Sequence, residues 1–151
     1  MNISKSAGYA VHGLAYLVRN TTDEPVQIAE ISKFQNVSKT YLAKIFQQLA
    51  TASIVVGQRG ATGGYLLGRH PSLITLLDII EAVDGPVLSR HCCLGIFGCS
   101  VKADCVVLDV FVEANQRFSE YLKGVTLETI VTKMEDLRAP FLYKPELEIS
   151  T

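Results

Sequence analysis

The segment from Ile54 to Leu67 constrains the fold of this chain more than any other. Ile54-Val55-Val56-Gly57-Gln58-Arg59 is strand-like, Gly60-Ala61-Thr62-Gly63-Gly64 is a flexible turn, and Tyr65-Leu66-Leu67 is a second strand. Helical periodicity precedes and follows it, so the pattern predicts a lone β-hairpin set into a helical protein. Glycines at 60, 63 and 64 permit positive φ and close backbone approach, and Arg59 is placed to meet a phosphate or enter a minor groove. The plainer alternative is a surface hairpin that needs glycine only to turn. A nucleotide phosphate loop is disfavoured, because neither a Lys-Ser/Thr ending nor a G-x-G-x-x-G leading into a helix is present.

Three helices are predicted ahead of the hairpin. Ala7, Ala10, Val11, Leu14, Leu17 and Val18 share one face of residues 4–19, leaving Lys5, Gly8, Tyr9, His12, Tyr16 and Arg19 opposite. A loop at 20–25 precedes a short helix over Gln27–Phe34. Ser38 then stands as an N-cap whose hydroxyl can take an orphan N–H of a third helix. In that helix Tyr41, Leu42, Ile45, Phe46 and Leu49 face inward, while Lys39, Thr40, Lys44, Gln47 and Gln48 are left outside. Two short helices with such an outer face have the form of a helix-turn-helix whose second member enters a major groove.

Beyond the hairpin, Thr75 and Asp78 have capping-box spacing for a helix over Thr75–Val83, stopped by Gly85-Pro86, with Leu76, Ile79, Ile80 and Val83 inward. All four cysteines follow within fourteen residues, at 92, 93, 99 and 105. From about Asp104 to Lys123 a long helix carries Val107, Leu108, Val110, Phe111, Ala114, Phe118, Tyr121 and Leu122, more apolar surface than one small domain covers. A symmetric partner helix is the simplest cover, so a homodimer is predicted. Thr126 opens a last short helix through Met134, and the Phe141-Leu142-Tyr143 tail should be irregular and dock on the dimer.

The predicted class is therefore mostly α with a small β-hairpin wing: a winged helix-turn-helix domain over 1–85, a cysteine-containing sensor loop over 86–105, a dimerisation helix and short following helix over 106–137, and a tail over 138–151. Charge supports a polyanion partner for the first part. Residues 1–70 hold seven bases against three acids, whereas the remainder holds seven against twelve. No run of about 18 uncharged apolar residues exists to cross a membrane. The start lacks a signal-peptide pattern, so a cytoplasmic protein with reduced thiols is expected.

Cysteine thiolates spread through a glycine-containing loop suit an iron–sulphur cluster, zinc and disulfide or inert thiols being the alternatives. The absence of a C-x-x-C pair argues against a zinc knuckle and against a thioredoxin-type enzyme. No Cys stands with His and Asp in a recognisable nucleophilic setting, so the chain is not expected to be an enzyme.

Lys5-x-x-x-Tyr9-Ala10-Val11, Ile28-Ala29, Val37-Ser38-x-x-Tyr41-Leu42, Arg59-Gly60-x-x-Gly63-Gly64-Tyr65-Leu66-Leu67-Gly68 and Ile79-Ile80-Glu81-Ala82-Val83-Asp84-Gly85 together resemble the Rrf-two (Rrf2) family of winged-helix transcription regulators. The resemblance covers nearly the whole chain and implies a homodimer on a double-stranded DNA operator. Lys39, Thr40, Tyr41 and Lys44 are the candidates to read DNA from the recognition helix. Ser38 is a cap that can also touch phosphate, and Lys5, Arg59, Gly60, Gly63 and Gly64 are candidate backbone contacts.

The iron–sulphur branch of that family, of the IscR, NsrR and RirA kind, holds a cluster ([4Fe-4S] or [2Fe-2S]) with three cysteines before the dimer helix. Cys93-x5-Cys99-x5-Cys105 is similar to that pattern. The resemblance thus implies a repressor sensing nitric oxide, redox state or iron, with Cys92 a bystander. Family members without the cysteines imply the alternative, a cluster-free regulator governed by a partner protein, a small ligand or thiol oxidation. The chain departs from its relatives at the fourth ligand: Gly8 stands where one group has an acid, and Val107 where another has a His. A third group uses an acid and a His one turn apart on helix one, which makes His12 the candidate here; His91, Asp104 and an exchangeable small molecule are the others.

Overall fold

The computed structural model describes residues 3–20, 24–60, 63–87 and 105–136. Helix α1 spans Lys5–Arg19 and begins at Ser4, whose hydroxyl accepts from the Ala7 N–H at 3.2 Å. Its buried face carries Ala7, Ala10, Leu14 and Leu17. Helix α2 covers Ile28–Gln35 and is stopped by Asn36 at φ 52°, a left-handed position that Asn tolerates better than most residues. Helix α3 follows over Lys39–Thr51 and buries Leu42, Ile45, Phe46 and Leu49. The predicted inward set loses one member here. Tyr41 is 39% exposed, because Leu42 takes the inward position and the Tyr41 ring leans edge-on against Tyr9 instead.

Strands β1 (Val55–Gln58) and β2 (Gly64–Leu67) pair antiparallel, with Val55 opposite Leu67 and Gln58 opposite Gly64. An isolated bridge adds Val26 to this hairpin, the Val26 N–H donating to Tyr65 O at 3.0 Å and the Tyr65 N–H to Val26 O at 2.8 Å. The wing is thereby joined to the start of α2. A short 3-10 turn over Pro71–Leu73 leads to α4, Leu76–Asp84. The predicted capping box is formed: Thr75 Oγ1 accepts from the Asp78 N–H at 3.1 Å, and Asp78 Oδ2 from the Thr75 N–H at 3.0 Å.

Helix α5 is Val106–Lys123 and α6 is Leu127–Asp136. The main core gathers Leu14, Ile31, Leu42, Phe46, Leu49, Ile54, Ile74 and Ile79 with Leu127 and Val131 of α6. Each such side chain contributes about 1.5–3 kcal/mol by leaving water. A smaller cluster joins Ala7 of α1, Leu77 and Ile80 of α4, and Leu122 of α5. Helix α4 thus packs on two sides, which is why Leu77 is buried beside the expected Ile79 and Ile80 while Leu76 and Val83 are only partly covered. Among the described residues no helix is long and apolar enough to cross a membrane.

Candidate nucleic-acid interface

The start of α2, the outer face of α3 and the inner edge of the wing enclose an open groove of about 720 Å³. Among the described residues, Lys39 and Arg59 supply its charge, no acidic side chain lines it, and Gln27, Gln47, Thr51 and Gln58 add amide and hydroxyl groups. Gly60, Gly63 and Gly64 form the wing side. Gly60 has φ +126°, a conformation that L side chains rarely adopt. At Gly64 a Cβ would collide with the Val26 carbonyl, so this glycine is what allows α2 and the wing to meet.

The groove therefore unites five of the predicted contact residues: Lys39, Arg59, Gly60, Gly63 and Gly64. Lys5, Thr40 and Lys44 are exposed outside it. Ser38 is the positional N-cap of α3, but its side chain makes no capping hydrogen bond. Tyr41 is engaged within the protein, its Oη lying 2.6 Å from Ser6 Oγ. Gln27, Thr51 and Gln58 were not among the predicted residues. Their signal in sequence is slight: Gln58 is the last residue of a strand and Gln27 the residue before a helix, and the Val26–Tyr65 bridge brings the two edges together.

A groove with two basic and no acidic side chains among its described lining residues, set between a helix and a hairpin wing, suits a polyanionic backbone whose bases are met by the helix. Residues 3–133 match the family described as Rrf2, iron-dependent transcriptional regulator. The chain belongs to the Rrf2 family. It is 32% identical over 137 residues to the HTH-type transcriptional regulator IscR of Yersinia enterocolitica (91% of this chain, 83% of the relative) and, at the same identity and coverage, to IscR of Klebsiella pneumoniae. Among solved structures it is similar to CymR (YrzC), the global cysteine regulator of B. subtilis, with TM-score 0.72 and 26% identity over 88% of this chain and 98% of that one. T. potens IscR is similar at TM-score 0.71 and 25% identity, over 92% of each chain. The chain is thus an IscR-like transcriptional regulator of the Rrf2 winged-helix class.

Of the predicted ligand positions in this Rrf2 chain, Cys93 and Cys99 lie outside the described residues, as do Cys92, His91 and Asp104. Cys105 is a free, partly exposed thiol at the N-cap of α5. His12 sits partly buried on α1, and desolvation lowers its pKa from the ordinary 6.5, favouring the neutral imidazole. On α5 beyond Cys105, Val107, Phe111, Ala114 and Tyr121 are exposed and Phe118 is partly covered, a spacing of four, three, four and three along one stripe. Val106 and Tyr121 are 74% and 72% exposed.

Proposed function

We propose that this Rrf2 chain is a homodimeric, DNA-binding repressor whose operator affinity is controlled by an iron–sulphur cluster held by Cys93, Cys99 and Cys105. The observation that carries the reading is the donor set: three soft thiolates at equal spacing, the last of them accessible at the head of α5. His12, in the neutral form that can ligate, is the proposed fourth donor. When bound, the cluster supplies a redox- and nitric-oxide-sensitive linkage among these side chains. Lys39 and Arg59 neutralise phosphates along the groove, Thr40 and Lys44 face the DNA from α3, and the wing glycines let backbone N–H groups approach it. The exposed stripe on α5 is the proposed dimer seam, covered by the same stripe of a second copy.

Anaerobic purification of iron-replete protein, with iron and sulphide analysis and visible absorption, tests the cluster. The account expects coloured protein with both elements, and loss of both in Cys99→Ala. Colourless protein holding only zinc or no metal would overturn it. The likeness to the B. subtilis cysteine regulator favours a second reading, in which a partner protein, a small ligand or thiol oxidation governs the same fold without a cluster. That reading predicts metal-free protein that still binds its operator.

A further inference from the structure

The recognition helix α3 is tied to its surroundings by polar contacts that converge on the ends of two other helices. In its first turn, Tyr41 Oη lies 2.6 Å from Ser6 Oγ, and the Tyr41 and Tyr9 rings meet edge-on at 5.9 Å. Two turns later Gln48 Nε2 donates to the Val83 carbonyl at 3.3 Å. The next residue, Asp84, closes α4 and accepts from both the backbone N–H and the hydroxyl of Ser4, at 2.9 and 2.5 Å. Past Gly85 and Pro86, the Val87 N–H donates back to Glu81 Oε1 at 3.2 Å. The opening of α1 thus holds the end of α4 through Ser4 and the start of α3 through Ser6. Asp84 takes two hydrogen bonds from Ser4, so this end of the linkage is held at two points.

Tyr41 stands on the exposed first turn of α3, where a winged-helix protein meets base edges. Its hydroxyl nonetheless has a protein partner. We infer that the first turn of α1 is a clasp between the end of α4 and the recognition helix, and that Tyr41 is a positioning residue within it. The inference rests on the reading of the chain as a DNA-binding regulator and adds a route for its control. In sequence the segment that carries the cysteines follows α4, so a pull on the end of that helix passes through Ser4 and Ser6 to Tyr41. The tilt of α3 is what changes, and a direct base contact is not needed.

The test uses the full chain and a duplex that the wild-type protein enriches from a randomised pool, with a non-enriched duplex of equal length as control. Tyr41→Phe and Ser6→Ala should each weaken the enriched duplex about fivefold, the worth of one hydrogen bond, and the double variant should lose no more. Binding of the control duplex and the salt slope should stay as in wild type. A loss in Tyr41→Phe with none in Ser6→Ala, or losses that multiply in the double variant, would mean that the hydroxyl reads DNA and would overturn the clasp. Urea unfolding supplies an independent measure: Ser6→Ala with Tyr41→Phe, and Ser4→Ala with Asp84→Asn, should be coupled within each pair, and additive effects would also overturn it. Failure of the wild-type chain to enrich any duplex would count against the regulator reading, and the unfolding pairs would still decide the clasp.

Discussion

Arg59 leaves the end of β1 exposed, in a groove it shares with Lys39 and, among the described residues, with no carboxylate. A guanidinium so placed answers to phosphate, which every duplex presents equally. Arg59→Ala should therefore weaken all duplexes alike and reduce the slope of log affinity against log salt by about 1, measured by titration at several salt concentrations. A loss confined to one sequence would contradict this. His12 makes a different kind of prediction. Burial lowers its pKa below 6.5 in the folded state, so the unfolded chain binds that proton more tightly. Its stabilising contribution is complete above pH 6.5 and is lost as pH falls through the folded value. Urea midpoints between about pH 7.5 and 5.5 should drop more in wild type than in His12→Asn. At this scale residue chemistry was legible and residue partners were not. Lys39 and Arg59 declare themselves by charge, whereas the hydroxyl of Tyr41 looks free until Ser6, 35 positions earlier, is folded beside it.

Elements with local signals were the most legible. Thr75 and Asp78 are three residues apart and meet each other in the chain itself, so the capping box follows from spacing alone. Thr75→Ala should cost about 1 kcal/mol of unfolding free energy, read from urea titration. The stripe on α5 was legible for the same reason: its period is fixed by the helix. What covers it is proposed to be a second copy. Phe111→Asp should then shift the sedimenting species from dimer to monomer and lower operator affinity by about tenfold or more, because two half-sites are no longer engaged together. An unchanged dimer would place the seam elsewhere. Tertiary relations had no such signal. By sequence, helix α6 falls with the dimerisation helix in 106–137, yet Leu127 and Val131 enter the same core as Leu14 and Phe46. Nothing local distinguishes Leu77, which is buried because α4 is packed on two sides at once.

At the scale of the molecule, the long helix α5 and the winged fold are not loosely strung together. Leu122 packs with Ala7, Leu77 and Ile80, and the end of α4 is held by Ser4. A perturbation at the head of α5 or the end of α4 therefore acts on elements already joined to the recognition helix. A coupling of about 1–3 kcal/mol between the proposed cysteine ligands and the DNA-binding face would change operator affinity from several-fold to over a hundredfold. The overall class was legible because a hairpin rich in glycine, set between helices, admits few architectures. The groove's full lining was not, since it depends on the bridge between Val26 and Tyr65. The most direct test is the affinity of one enriched duplex for the anaerobic, iron-replete protein, measured before and after its iron is removed by chelation under reducing conditions. The expected result is a change of at least about fivefold, the lower end of such couplings, that is abolished in Cys99→Ala. Equal affinities in the two states would contradict it.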